Sequence, residues 1–597
     1  MEQGAARPRI YHVQVAMGLV ALGLVIQLIR VQFGPYAPVF ASRMQSTTGL
    51  IETVAPARGL IFDRDGVLLA TNATMYHLEV EIRQVTPTSQ QDIAVALSHL
   101  LLLPQKDMER QLKFDRAGDR QYRIRLTRQD AEGKPWPIII DQVIADVLNG
   151  FLKDPKAPDM SGLALVPAPK RVYPNGTMAG HVLGFVNQEG KGFFGVEGFY
   201  DDWLAGKPIT VSKTDIPPEA RLQPDPPAGV NVVLTLDAEV QEMVETALKD
   251  SVEYSMAEGG QAIVTDPHTG EILAMASYPP LDPNSYQSWF TEDEGNLEKS
   301  GEEVITPAVA GLFEPGSTFK VLTMAAALDS GSISADEVFI DTGEIEVGGN
   351  TIRNWDNKAW GPQTMVGCLR YSLNVCLAHV ASQEVGGGTF YAYMNAFGIG
   401  QLTGVDMASE IPGQLRTPRH PEWTESDLGT NAFGQGVSVT PIQLLAAVSA
   451  VANDGVMIQP HIVRQIVGPQ GVYWPKPTVL GHPISADTAH TLTEMLVQSL
   501  EGETRFAGLE GYRVAGKTGT AQVPTELGYD PHWTIASFIG WGPVDDPKFM
   551  VFVRLDKPAL SPWGAVVAAP LFHEIASRMV VLMEIPPAQS QAGSTTG

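Results

Sequence analysis

Cysteine is nearly absent. The 597 residues contain two, Cys368 and Cys376. Two cysteines cannot make a disulfide framework, and their spacing fits no metal site. Both fall in a segment that reads as one helix. Eight positions at ~1.5 Å each would hold them ~12 Å apart, too far for a bridge, so two packed thiols are expected. Metal-ligand patterns are also missing: none of the 12 histidines forms an H-E-x-x-H or comparable pair. Lone histidines such as His181 and His532 read as structural or exposed. Basic residues are scarce, 41 Lys and Arg against 67 Asp and Glu, a formal net charge of −26. A surface that acidic repels nucleic acid.

The N-terminus carries an apolar run. From Ile10 to Ile29 no residue is charged, and Arg7 and Arg9 precede the run. About 20 apolar residues cross one bilayer, and the positive-inside rule places the N-terminus in the cytoplasm and the body outside. No small-residue cleavage site follows closely, which favours an uncleaved anchor over a signal peptide. The remaining chain exceeds one domain and is 44% hydrophobic, enough for large cores.

Turn chemistry punctuates the rest. Asp65-Gly66 between apolar stretches predicts a hairpin, and Gln261 to Tyr278 predicts another. A strand followed by a helix over Ala238–Ser251 is expected. The acidic stretch 291–303 reads as a solvated loop, and 207–228, rich in proline, reads as a boundary. The C-terminal tail reads as disordered.

Three short motifs carry chemistry. Ser317-Thr318-Phe319-Lys320 follows the Pro315-Gly316 turn and opens an apolar helix that Gly331 stops. Lys320 lies one turn from Ser317, on the same face, in a helix that should be buried. Burial lowers a lysine pKa, and a neutral lysine beside a hydroxyl can act as its base. Ser372-Leu373-Asn374 follows 55 positions later. Its hydroxyl could shuttle a proton, and its amide could hold Lys320 and a substrate carbonyl. Lys517-Thr518-Gly519-Thr520 lies on a strand, with a neighbouring antiparallel strand after it. Its cation and hydroxyls suit a carboxylate, and Gly519 clears space for an approaching peptide backbone. The upstream glycines of a phosphate loop are missing.

Together these motifs resemble the penicillin-binding proteins and class A β-lactamases. Leu373 departs from the usual S-D-N, but the first and third residues do the polar work. The blocks R-G-L-I-F-D-R-D-G from Arg58, R-V-Y-P from Arg171 with H-V-L-G-F-V, G-V-E-G-F-Y from Gly195, and G-Q-G-V-S-V-T-P-I-Q from Gly434 resemble class B penicillin-binding proteins. A class A β-lactamase would need E-x-x-L-N, and the nearest string, Glu425 to Gly429, ends in glycine. A bifunctional synthase would need a paired-carboxylate domain before residue 228. A transmembrane sensor would need more than nine cytoplasmic residues for its output.

The resemblance implies a mixed α/β fold: one transmembrane helix, an α+β pedestal, and a serine β-lactamase-like transpeptidase domain with a mostly antiparallel sheet flanked by helices. The expected limits are 1–9 cytoplasmic, 10–32 anchor, 33–49 linker, 50–228 pedestal, 229–583 transpeptidase and 584–597 tail. It implies a D,D-transpeptidase that cross-links peptidoglycan, with Ser317 as nucleophile, Lys320 as base, and Ser372 and Asn374 for proton transfer and placement. Lys517, Thr518, Gly519 and Thr520 would take the donor carboxylate, and the Ser317 and Thr520 amides would form the oxyanion hole. Implied partners are peptidoglycan stem peptides, β-lactam inhibitors, the membrane and a polytopic glycosyltransferase of the division or rod machinery. Pedestal residues around Arg58–Asp65 are the expected polymerase contact. No cofactor is implied. The pedestal blocks lean towards a septal rather than an elongation role.

Overall fold

The computed structural model describes residues 50–54, 56–113, 123–129, 133, 135–154, 156–213, 227–289, 306–500, 505–525 and 528–587, with Met17. The apolar run Ile10–Ile29 (Met17 apart), the acidic stretch 291–303, most of the 207–228 boundary and the tail beyond 587 lie outside the described residues. Two units separate: residues 1–57 with 206–229, and residues 58–205 with 230–597. In the first, the described strands Leu50–Val54 and Ile209–Lys213 pair antiparallel.

The second unit begins with the expected Asp65-Gly66 hairpin. Strands β1 (Ile61–Phe62) and β2 (Leu68–Glu81) pair antiparallel, and Gly66 takes a left-handed φ of 92°. Asp63 makes the turn rigid. Its carboxylate accepts from the Asp65 and Val67 amides at 2.9 and 2.7 Å. The other oxygen accepts from Ala238 at 3.1 Å. One buried side chain thus caps both the hairpin and the helix that begins at Ala238. The long strand β2 also pairs with β3 (Leu163–Val172). Helices α1 (Pro87–Leu101) and α2 (Gln142–Lys153) bury Ile93, Leu97, Ala145 and Leu148 in the core beside β2.

Strand β4 (Asn231–Leu234) runs parallel to β1, so one eight-stranded sheet joins segments from both sides of the 228/229 limit read from the sequence. Helix α3 spans Ala238–Ser255, four residues beyond expectation, and ends on the left-handed Met256. The second expected hairpin forms as β5 (Gly259–Thr265) and β6 (Ile272–Tyr278).

Among the later elements, those that position the site are α4 (Lys320–Asp329), α5 (Met365–Arg370), α6 (Asn374–His379), α7 (Pro441–Ala452), β7 (Val463–Gly468), β8 (Ala515–Thr525), β9 (Gly528–Gly542), β10 (Phe549–Asp556) and α8 (Gly564–Leu582). Strand β7 pairs with β4. Much of the rest of this unit is organised by a five-stranded sheet in the order β6-β5-β10-β9-β8, every pair antiparallel. Its strands are apolar on both faces, and the period of two sorts neighbours into opposite cores. Ile263, Ile539 and Phe552 join α4 and α7 on one face. Val264, Phe538 and Val553 join α3 and α8 on the other. Helix α8 is long and apolar enough to cross a bilayer, yet half of it is buried inside the protein, which makes it a core helix.

The cysteine expectation is overturned. Cys368 and Cys376 form a disulfide with Cα atoms 6.1 Å apart. The segment is not one helix. Helix α5 stops at Arg370, and Ser372 takes a left-handed φ of 53°. The amides of Ser372 and Leu373 bond back to Leu369 and Cys368 at 3.2 and 3.0 Å. That is a Schellman reversal, with serine where glycine is usual. It folds α6 back towards α5 and closes the gap.

The blocks at Arg58, Arg171 and Gly195 meet at one carboxylate. Glu197 is fully buried and accepts from Arg58 Nε at 2.7 Å and Arg171 Nε at 2.6 Å. Arg171 also donates to Gly59 O at 2.7 Å and Asn72 Oδ1 at 3.2 Å. A Cβ on Gly59 would lie 1.7 Å from Val230 O, so the chain can pass there only as glycine. The Arg58 and Gly59 end of the Arg58–Asp65 segment is therefore structural, while Asp65 and Gly66 at the hairpin tip are exposed. Removing one member of a buried ion cluster strands the others in low dielectric. Glu197→Ala should lower the unfolding free energy by about 3–5 kcal/mol, measured by denaturant titration of the soluble body; a loss under about 1 kcal/mol would contradict this account.

Candidate active site

Pro315 and Gly316 turn the chain out of a short bridge, and residues Gly316–Phe319 form one 3-10 turn that runs into α4. Gly316 needs its left-handed φ of 56°, and a Cβ there would press on Thr520 O and Ala521. Ser317 thus sits on the first turn of the helix, as expected. The first N–H groups of a helix have no partner within it, and the dipole there favours negative charge. Ser317 lines a cleft of about 760 Å³ with Ser372, Asn374, Thr518 and Thr520.

Lys320 is fully buried. Its Nζ donates to Ser372 O at 2.6 Å and Asn374 Oδ1 at 2.8 Å, and lies 3.1 Å from Ser372 Oγ. Burial first, and the neighbouring Lys517 charge second, push its pKa well below the ordinary lysine value. A neutral amine has two N–H donors and one lone pair. The carbonyl and the amide oxygen occupy both donors, which leaves the lone pair for a hydroxyl.

Lys517 is also buried, and burial lowers its pKa to about 7. Its Nζ reaches Ser372 Oγ at 3.2 Å, Thr518 O at 3.3 Å and Thr518 Oγ1 at 3.4 Å. Ser372 Oγ therefore stands between two lysine amines, accepting from one and able to donate to the other. The left-handed turn that breaks the helix is what aims it there.

The structure refines how the K-T-G-T strand presents itself. Lys517 does not line the cleft; Thr518 and Thr520 do. Thr520 Oγ1 accepts from the Gly564 amide at the start of α8, at 3.0 Å. Thr518 Oγ1 accepts from Lys517. With an N–H on each acceptor side, both hydroxyls keep an O–H to give to a carboxylate, and Lys517 supplies charge from behind. Gly519 makes room for the protein's own backbone: a Cβ would meet Ser537 Oγ at 2.3 Å and Pro315 O and Thr318 Cγ2 at 3.0 Å. It lets the Pro315–Thr318 turn lie against β8. As the sheet's edge strand, β8 leaves one row of backbone groups unpaired by a strand.

Sequence reasoning missed the walls of the cleft. Trp355, Tyr371, Phe433, Phe506, Trp563 and Val566 line it, with Arg370 and Gln435. Trp355 and Trp563 meet edge to face, ring centroids 5.2 Å apart. No motif marks them; only Gln435 lies inside a block singled out from the sequence. His181 is buried and hydrogen-bonded to Pro279 O at 2.9 Å, and His532 is exposed, so neither joins the site.

Known proteins carry the same organisation. A family described as penicillin binding protein transpeptidase domain matches residues 260–577, and one described as penicillin-binding protein dimerisation domain matches 53–212. Stage V sporulation protein D of Bacillus subtilis is 33% identical over 551 residues, 90% of this chain and 80% of its own length. Peptidoglycan D,D-transpeptidase FtsI of Escherichia coli is 27% identical over 546 residues, 90% of this chain and 85% of its own. Among solved structures, penicillin binding protein 3 of Mycobacterium tuberculosis complexed with aztreonam superposes with a TM-score of 0.66 at 26% identity. It covers 90% of this chain and 98% of that one.

The geometry separates two roles of Ser372. Removing the hydroxyl breaks the link between the lysines, and a general acid–base group is worth about 10²–10⁴ in rate. Ser372→Ala and Ser372→Gly should both lower penicillin acylation by about 10² or more. The glycine variant should be the more stable of the two by about 1 kcal/mol, because it relieves the left-handed backbone. Acylation rates and thermal melts of both variants check this. Equal stability of the two would show that the backbone is not strained.

Proposed function

The chain belongs to the class B penicillin-binding proteins, serine-type peptidoglycan D,D-transpeptidases that bind β-lactams, and from that premise we propose how its own residues carry out acyl transfer. Ser317 Oγ attacks the penultimate D-Ala carbonyl of a stem peptide as Lys320 takes its proton. The Ser317 and Thr520 amides receive the oxyanion. The C–N bond breaks, and terminal D-Ala leaves as its nitrogen takes a proton relayed through Ser372. Thr518 and Thr520 hold the donor carboxylate, with Lys517 behind them and Asn374 placing the chain. An amine from a second stem then attacks the ester, returns its proton along the same path, and releases Ser317. The observation that carries this reading is Ser372 Oγ lying 3.1 Å from Lys320 Nζ and 3.2 Å from Lys517 Nζ.

Membrane anchoring through residues 10–32 rests on the uncharged run and the arginines before it. The Cys368–Cys376 disulfide supports a body on the oxidising side, since such bonds persist there. The family matches support a pedestal within 50–228 and a transpeptidase within 229–583, after a linker at 33–49 and before a tail from 584. The names of the relatives, a sporulation protein and FtsI, favour a septal role over elongation.

A fluorescent penicillin should form a stable adduct on Ser317, located by mass spectrometry of a digest. Lys320→Ala should lower its formation by about 10²–10⁴. In the wild type the rate should fall as pH drops and Lys320 takes a proton, with the midpoint well below an ordinary lysine pKa. An adduct elsewhere, or wild-type rates in Lys320→Ala, would sink the assignment.

A transpeptidase needs nascent glycan beside its nucleophile, which is the reason to expect a polytopic glycosyltransferase partner. On the pedestal, Ile139 and the α2 residues Val143 and Val147 leave large apolar side chains exposed. Charging this face with Val143→Glu and Val147→Glu should reduce glycan polymerisation by a co-reconstituted partner and leave Ser317 acylation intact. Unchanged polymerisation would remove this face from consideration.

A further inference from the structure

Glu314 stands three residues before Ser317 and has no part in the chemistry above. It is only 7% exposed, and burial raises its pKa against the pull of the Gly436 amide, Tyr529 and the Arg416 charge. It does not line the cleft. A carboxylate so buried is costly unless its oxygens are used, and here both are. Oε1 accepts from the Gly436 amide at 3.0 Å. Tyr529 O–H lies 3.0 Å from Oε2 and 3.2 Å from Oε1.

These partners belong to different walls of the site. Gly434 and Gly436 both take left-handed φ, 79° and 70°, and hold Gln435 between them at the cleft. Two such glycines make a turn with little stiffness of its own. It is fastened instead from the nucleophile side. Phe313 and Val439 exchange backbone hydrogen bonds at 3.0 Å, Gly316 N donates to Gly434 O at 3.0 Å, and Glu314 holds Gly436. Tyr529 lies on β9 near the tip of the β8–β9 hairpin, the hairpin whose first strand carries Lys517 and Thr520.

We propose that Glu314 is a positioning residue for acyl transfer: its buried carboxylate clamps the Gly434–Gly436 turn and the Tyr529 arm against the nucleophile turn, fixing Ser317 relative to Gln435 and Thr520. Reacting groups displaced by even 1 Å lose about 10² in rate, so the clamp acts on the acylation step more than on initial binding. The inference rests on Ser317 being the nucleophile. Mapping the wild-type adduct tests that separately.

The experiment resolves penicillin labelling of the full chain into a dissociation constant and an acylation rate constant. Glu314→Ala should lower the rate constant about tenfold or more and change the dissociation constant less. Glu314→Gln should stay within about threefold of wild type, because its oxygen still accepts from Gly436 and its amide can bond Tyr529. Tyr529→Phe, at an exposed position, should lower the rate constant about threefold or more. The proposal is overturned if the glutamine variant falls as far as alanine, or if alanine loses affinity and keeps its rate. If Glu314→Ala does not fold, Tyr529→Phe decides: a wild-type rate constant overturns the clamp, and a reduced one supports it.

Discussion

Two buried lysines share one hydroxyl, and the catalytic half is built around the cost of keeping them there. An ammonium taken out of water is expensive, and the protein answers by lowering both pKa values. Lys320 is surrounded by Ser372 O, Ser372 Oγ and Asn374 Oδ1; Lys517 by Ser372 Oγ and Thr518. The two amines also repel as charges, which lowers Lys320 further. A neutral amine next to a serine is a base waiting for a proton. The feature that destabilises the fold locally is therefore the feature that makes the site reactive.

That demand shapes the backbone around it. Ser372 must offer its carbonyl to Lys320 and its hydroxyl to both lysines, which no residue inside a straight helix can do. The chain breaks the helix with a Schellman turn and places serine in a left-handed conformation. The Cys368–Cys376 bridge then ties the helices on either side of the break. Leu373, where the family motif usually has aspartate, is fully buried beneath the turn and explains why an apolar residue serves there.

Much of this was legible before any coordinates. The S-x-x-K spacing places Lys320 a turn from Ser317, and the apolar run around it requires burial. The K-T-G-T strand and its antiparallel neighbour are likewise written in local pattern. What failed was non-local. The expected helix over Cys368 and Cys376 came from periodicity, which cannot see a serine adopting positive φ to reach a lysine 52 positions earlier. The pairing of β1 with β4 across the proline-rich segment is likewise invisible to local pattern. Arg58 reads in the sequence only as part of a pedestal block; the fold reveals Glu197 between it and Arg171.

The aromatic walls extend this argument from chemistry to substrate. Trp355 comes from the Ser372 side of the cleft, where its Nε1 donates to Tyr371 O at 3.1 Å. Trp563 comes from the sheet side, one residue before the amide that fixes Thr520. Their edge-to-face contact brings the helical and sheet sides together at the mouth of the cleft. The rings line the same cleft as Thr518 and Thr520, and aromatic faces suit short apolar side chains. Lys320 and Lys517 are buried and hydrogen-bonded to Ser372, Asn374 and Thr518. The Trp355 and Trp563 side chains, by contrast, are half-exposed, so the rim of the cleft is the part that meets solvent.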